Sequence, residues 1–365
     1  MQARAASLQG RLGTLALAAA GGGAFMWAGL PLPFLFGPMA VCLPAALAGA
    51  RLQGMGSFGV AMRTILGVAV GAAITPDVIA RAPQMAGSLA LVPLYVVLIG
   101  LVGVPFFRRL GFDRPTSWYA AMPGGLADMV IFGAQAGADM RALSLIHATR
   151  VAVIVTAAPL ILTGFYGASL DGVIGAPARD LPLHELALMA MAALVGWKGA
   201  ERIGLFGASI LGPMIVTAGL SLSGLIHTRP PAEAILVAQL FIGVSIGVHY
   251  VGVTLRELRG FVLAGLAFVV LLAALAAAFT ELVTLTGLAD PVEGFLAFAP
   301  GGQAEMTVLA LAAGADLGFV IVHHLTRIVL VILGAPVAAR VLGPGRARKG
   351  RSPGPGSGPD HTPDG

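Results

Sequence analysis

With 365 residues, 57% of them hydrophobic and only 11% charged, this chain is too apolar for a soluble domain, which typically carries about 25% charged residues. Its net charge of +5 does not signal nucleic acid, because the positive residues fall in short loops and a tail rather than on a recognition face. A single cysteine, Cys42, excludes an intramolecular disulfide and any cysteine-based zinc or iron–sulfur centre.

A spanning helix needs roughly 20 mostly apolar residues. In chain order, the candidates lie near 12–30, 34–50, 57–75, 85–107 and 141–165. A second series follows near 185–200, 204–226, 234–254, 260–287 and 317–341. Arg4 and Arg11 ahead of an Ala/Leu run imitate a signal peptide, but a counterpart at 185–200 marks the run as a first membrane helix. Two further apolar stretches, 117–137 and 294–314, are each interrupted by Pro-Gly-Gly. The 51 glycines suit helices that approach closely in lipid. Trp27, Trp118 and Trp197 sit near segment ends, where interfacial anchors belong. The last residues, 342–365, are rich in Pro, Gly, Ser and basic side chains and are expected to be disordered.

The two series are related. PGGLADMVIFGAQAGADMRALSLIHATR at 123–150 matches PGGQAEMTVLALAAGADLGFVIVHHLTR at 300–327 in 12 of 28 positions without a gap. Gly37-Pro38-Met39 answers Gly212-Pro213-Met214, and GVAVG from Gly67 answers GVSIG from Gly243. The shared order predicts an all-α polytopic membrane protein of two homologous repeats. It comprises repeat 1 at 1–165, a linker at 166–184, repeat 2 at 185–341, and a tail at 342–365. About ten helices cross, and the two Pro-Gly-Gly segments are broken or re-entrant. If they re-enter, each repeat crosses five times and the second is inverted. With the N-terminus inside, fifteen Lys and Arg then face the cytoplasm and only Arg81, Arg179 and Arg229 face outward. That asymmetry favours the inverted arrangement, with both termini cytoplasmic in a bacterial inner membrane.

Ionisable residues within membrane segments are rare and mark function by default. Most of those here fall in the duplicated block. Pro123-Gly124-Gly125 and Pro300-Gly301-Gly302 predict broken helices whose exposed backbone lines a substrate site, as in inverted-repeat transporters; a plain kink is the simpler alternative. Asp128 and Glu305, five residues after the prolines, serve either as helix caps or as a proton or cation site. Asp139 and Asp316 read as N-caps. His147 with Arg150, and His324 with Arg327, share an i, i+3 face. Each arginine, buried deep in the membrane, needs carbonyls, a carboxylate such as Asp128 or Glu305, or an anionic ligand. Arg63 aligns with Gln239, a polar position in both halves without a symmetric charge. His147 and His324 lack a carboxylate–histidine motif and His323 points away from His324, so no metal or other cofactor is expected.

The paired blocks PGGLADM…GADMRALSLIHATR and PGGQAEM…GADLGFVIVHHLTR resemble the AbrB duplication family of bacterial membrane proteins, over roughly residues 10–341. Members are labelled regulators of aidB expression or ammonia monooxygenases. The resemblance implies a multi-pass membrane protein, and it does not bring the DNA binding of an unrelated soluble regulator that shares the name. The expected function is a secondary transporter of a small molecule or ion, with membrane lipid around it and no direct nucleic acid partner. A membrane-bound protein acting indirectly on gene expression is the alternative. An enzyme, the monooxygenase, comes third because a convincing ligand set is missing. Homo-oligomerisation is left open.

Overall fold

The computed structural model describes residues 2–172, 175–205 and 207–342. The tail expected at 342–365 lies, beyond Leu342, outside the described residues. Within them the chain is helical throughout and no strand occurs, as lipid demands of a segment that must satisfy its own backbone polar groups.

The first half runs through α1 (Gln2–Trp27), α2 (Pro33–Leu47), α3 (Gly56–Ala72), a short α4 (Pro76–Arg81), α5 (Ala86–Arg109), α6 (Arg114–Ala121), α7 (Leu126–Gln135) and α8 (Met140–Gly164). The second runs through α9 (Leu183–Arg202), α10 (Ala208–Leu222), α11 (Ala232–Val248), α12 (Leu255–Glu257), α13 (Leu263–Leu285), α14 (Pro291–Phe298), α15 (Gln303–Ala312) and α16 (Leu317–Leu342). The two sequences of elements agree one for one. Sequence reading missed α4, which falls between two apolar spans, and the π turn Leu258–Val262 that leads into α13, which merges with the apolar run behind it.

Four runs, Pro76–Arg109, Met140–Gly164, Leu255–Leu285 and Leu317–Gly334, are long and apolar enough to cross a membrane, and α2, α3, α10 and α11 are shorter apolar helices. Stripes of exposed apolar side chains on α5 (Leu94, Val97, Leu101) and α13 (Leu263, Leu266, Val270) repeat at helical spacing. Such surfaces suit lipid and would be an aggregation hazard in water. This is a membrane protein.

Contacts sort the helices into two bundles, each drawn from both halves of the chain. In the first, α1 packs on α2, α9 on α10, α11 on α2 and α3 on α10. Small residues set these distances: a side chain at Gly37 would run into the backbone of Gly21, and one at Gly212 into that of Gly196. The Gly-Pro-Met segments are therefore packing contacts. The second bundle joins α5 to α6 and α16, and α13 to α8 and α14. Its aromatic core includes Tyr95, Phe107, Phe268 and Phe298. Across the seam α3 meets α15 and α16, and α11 meets α8, through an apolar cluster that includes Leu66, Val70, Val155, Ile242 and Leu309.

Candidate functional site

Each Pro-Gly-Gly lies at the tip of a helical hairpin. The proline follows the last residue of α6 or α14 by two positions, and the residue before it is extended, at φ −67, ψ 133 for Met122 and φ −54, ψ 129 for Ala299. Proline imposes that conformation on its predecessor and cannot prolong the helix. After the glycines α7 and α15 return. The hairpin base is tied on both sides: the Asp139 amide donates to Thr116 Oγ1 (2.8 Å), and the Asp316 amide donates to Glu293 Oε1 (3.1 Å). The end of each hairpin thus lies beside its beginning, and helices of 8 and 10 residues rise only about 12–15 Å each. Neither helix of a hairpin is long enough to span a bilayer.

A helix ending inside the protein leaves its last carbonyls without partners, at the negative end of the helix dipole. Here the His–Arg pairs supply them. Arg150 donates to Met122 O (3.2 Å) and Gly124 O (2.6 Å), while Arg327 donates to Ala299 O (2.8 Å) and Gly301 O (3.0 Å). The Nε2–H of His147 donates to Tyr119 O (3.0 Å), and that of His324 to Leu296 O (2.8 Å). That leaves His324 Nδ1 to accept from Arg327 (3.2 Å). The same bonds recur 177 residues apart, on side chains at most 3% exposed. Of the partners open to the arginines from sequence, carbonyls are those found. Neither arginine forms an ion pair with Asp128 or Glu305 among the described residues. Sequence reading could not choose, because the carbonyls belong to an element whose turn it could not place.

Asp128 and Glu305 each occupy the third position of the returning helix, where a carboxylate meets free amides and the positive dipole end. Their side chains fold back over the glycine before the helix. A Cβ on Gly125 would fall on Asp128 Oδ2, and one on Gly302 on Glu305 Oε2. Likewise the first glycines, Gly124 and Gly301, leave room for Met129 and Met306. The motif is thus a packing unit in which each glycine makes space for one later side chain. Both carboxylates are half-buried rather than sealed.

One further residue joins them. Arg63 of α3 lies within electrostatic range of both Asp128 and Glu305, and Arg150 within range of Glu305. The two hairpins therefore face the same region at the seam between the bundles. Arg63 donates to Ser245 Oγ on α11 (3.0 Å) and lines a cavity of about 320 Å³ with Met55, Phe241, Ser245 and His249. Among the described residues Arg63 makes no ion pair. Sequence reading named Arg63 as an intramembrane charge but left it out of the site, since its partner Ser245 lies 182 residues away.

The remaining ionisable candidates have protein partners. Asp139 caps α8 through the amides of Arg141 and Ala142. Asp316 caps α16 through Phe319 and also pairs with Arg81 at 2.7 Å. His323 is bound between Phe319 O and Ser88 Oγ. Among the described residues no three His, Cys, Asp or Glu side chains are grouped as metal ligands. Several buried polar atoms lack partners, including Arg150 Nε, Arg327 Nε, His147 Nδ1, Gln303 Nε2 and both amide atoms of Gln239. Buried groups of this kind need explanation, by bound water or ligand among other causes.

Comparison with known proteins gives consistent matches along the chain. A family model described as "Transition state regulatory protein AbrB" matches residues 34–343. "Uncharacterized protein YhjN" of Bacillus subtilis (strain 168) is 27% identical over 357 residues, spanning 90% of this chain and 92% of that protein. "Putative regulator AbrB" of Escherichia coli (strain K12) is 26% identical over 321 residues, spanning 87% and 92%. No solved structure matches.

Proposed function

This chain belongs to the AbrB family, and from that premise we propose that it is a secondary transporter of a small solute in the bacterial inner membrane. The observation that carries the reading is the pair of helical hairpins whose acids share the neighbourhood of Arg63 at the seam between two bundles. Irregular backbone at membrane depth belongs where protein or a water-filled cavity surrounds it. Alternating access in inverted-repeat carriers is largely rigid-body motion of one bundle against another around such a site. An apolar seam suits that motion, because its contacts are not directional.

Re-entry leaves five crossings per half, formed by α1, α2, α3, α5 and α8, then by α9, α10, α11, α13 and α16. An odd number inverts the second half, which agrees with the fifteen-to-three charge split. In this orientation both termini are cytoplasmic, and the Arg63 cavity opens to the cytoplasm. A cysteine near Arg109 should then resist an impermeant thiol reagent in intact cells, and one near Asp290 should react, in a background where buried Cys42 is replaced. Equal labelling of both from outside would overturn the inverted topology.

Transport is tested in liposomes holding the purified protein and a pH-sensitive dye. A solute panel added outside should change internal pH with at least one compound, and protein-free vesicles should not respond. If none of the panel moves protons or labelled solute, the carrier reading fails. The regulatory reading rests on the name of the Escherichia coli relative. It requires a partner that carries the signal onward, and we place it second.

A further inference from the structure

We propose that the solute is a small anion, and that Arg63, with the Ser245 hydroxyl beside it, is the group that receives its carboxylate or other oxyanion head. The inference rests on the transport reading for its role but names a binding site that can be measured without transport.

The argument is one of charge. Three arginines lie near the hairpin tips, and two of them are committed. Arg150 and Arg327 each give one donor to the C-cap carbonyl of α6 or α14, where the helix dipole places about half a negative charge, and one to a carbonyl of the following turn. Asp128 and Glu305 sit at helix N-termini, where the dipole places about half a positive charge. The two acids, which Arg63 also influences, offset two of the three positive charges and leave one in excess. Arg63 is the arginine whose donors are least committed to the protein. It has no ion pair among the described residues, and its one bond is to a neutral hydroxyl. Gln239, the aligned position in the other half, is neutral, so it adds no further charge to the excess.

Arg63 is also accessible. It borders the cavity of about 320 Å³ between α3 and α11, within the range of small-molecule sites, about 300–1,000 Å³. The cavity walls near it are Gly59, Val60, Phe241 and Val244, which carry no charge. Its other polar groups are Ser245 and His249, whose Nδ1–H donates to Ser245 O. A guanidinium offers a planar fork of donors matched to a carboxylate or phosphate, and among the described residues the other Arg63 donors are not taken up by protein.

Thermal unfolding of the detergent-purified protein tests this, with acetate, succinate, phosphate and sulfate each compared with chloride at matched ionic strength. Choline and putrescine serve as cation controls. At least one oxyanion should raise the unfolding temperature of the wild type in a saturable way. Arg63→Gln should weaken its apparent affinity at least about tenfold, the loss expected when a charged hydrogen-bond partner is removed. Ser245→Ala should weaken it less, and it keeps the test open if Arg63→Gln does not fold. Stabilisation by the cations alone, by none of the anions, or equally in wild type and both variants would overturn the proposal. A carrier of a cation or neutral solute would still work in vesicles while failing here, so the two readings fall separately.

Discussion

Replacing Arg327 by alanine should destabilise the detergent-purified protein by about 3 kcal/mol or more, and Arg150→Ala should do nearly the same. Each guanidinium makes two hydrogen bonds to buried carbonyls, and hydrogen bonds to charged groups contribute about 1.5–3 kcal/mol apiece. Alanine would also leave those carbonyls unpartnered at the end of a helix that stops inside the protein, where water does not readily replace the lost donor. Arg327→Lys should recover only part of the loss, since an ammonium does not reproduce the planar fork that reaches Ala299 O and Gly301 O together. Arg327 additionally donates to His324, so its removal should cost slightly more than that of Arg150, whose histidine partner keeps an unpaired Nδ1. Thermal unfolding and size-exclusion profiles measure this directly. Full stability in both alanine variants would mean that the hairpins hold their shape without these caps.

Much of this arrangement was legible in the sequence, and the reason is duplication. A motif that appears once in an apolar chain is easily dismissed, but Pro-Gly-Gly followed by an acid, Gly-Ala-Asp and His-x-x-Arg in the same order twice is not. The spacing of His147 and Arg150 placed them on one helix face, and the structure puts both on the carbonyls of one helix end. What the spacing could not disclose was which carbonyls. The bonds run 26 and 28 residues back along the chain, across a turn whose direction depends on tertiary packing. Arg63 was hidden for the same reason: its surroundings come from α11 and from the hairpins of both halves. The α4 segment was missed because 76–84, with Asp77 and Arg81, falls between the apolar spans at 57–75 and 85–107, although Thr75 and Pro76 mark where it starts.

Asp128→Asn and Glu305→Gln should leave the protein folded yet uncouple solute movement from a pH gradient. The amides are close in shape to the acids they replace and still present an oxygen to the start of α7 or α15, so the cap survives. What they lose is the ability to take up and release a proton. In the wild type two opposing influences act on each carboxyl, its poorly solvated position and the charge of Arg63, joined at Glu305 by Arg150. A shift of one bundle against the other would change that balance, because Arg63 belongs to the first bundle while both acids belong to the second. Protonation would then be linked to which side the site faces, as coupling requires. In vesicles, the variants should lose accumulation driven by a proton gradient while keeping exchange of labelled for unlabelled solute, which needs no net proton transfer. Retained accumulation with unchanged pH dependence would show that Asp128 and Glu305 are caps alone. Loss of exchange together with accumulation, in protein that remains folded, would instead place these carboxylates in solute binding and refute their assignment to coupling.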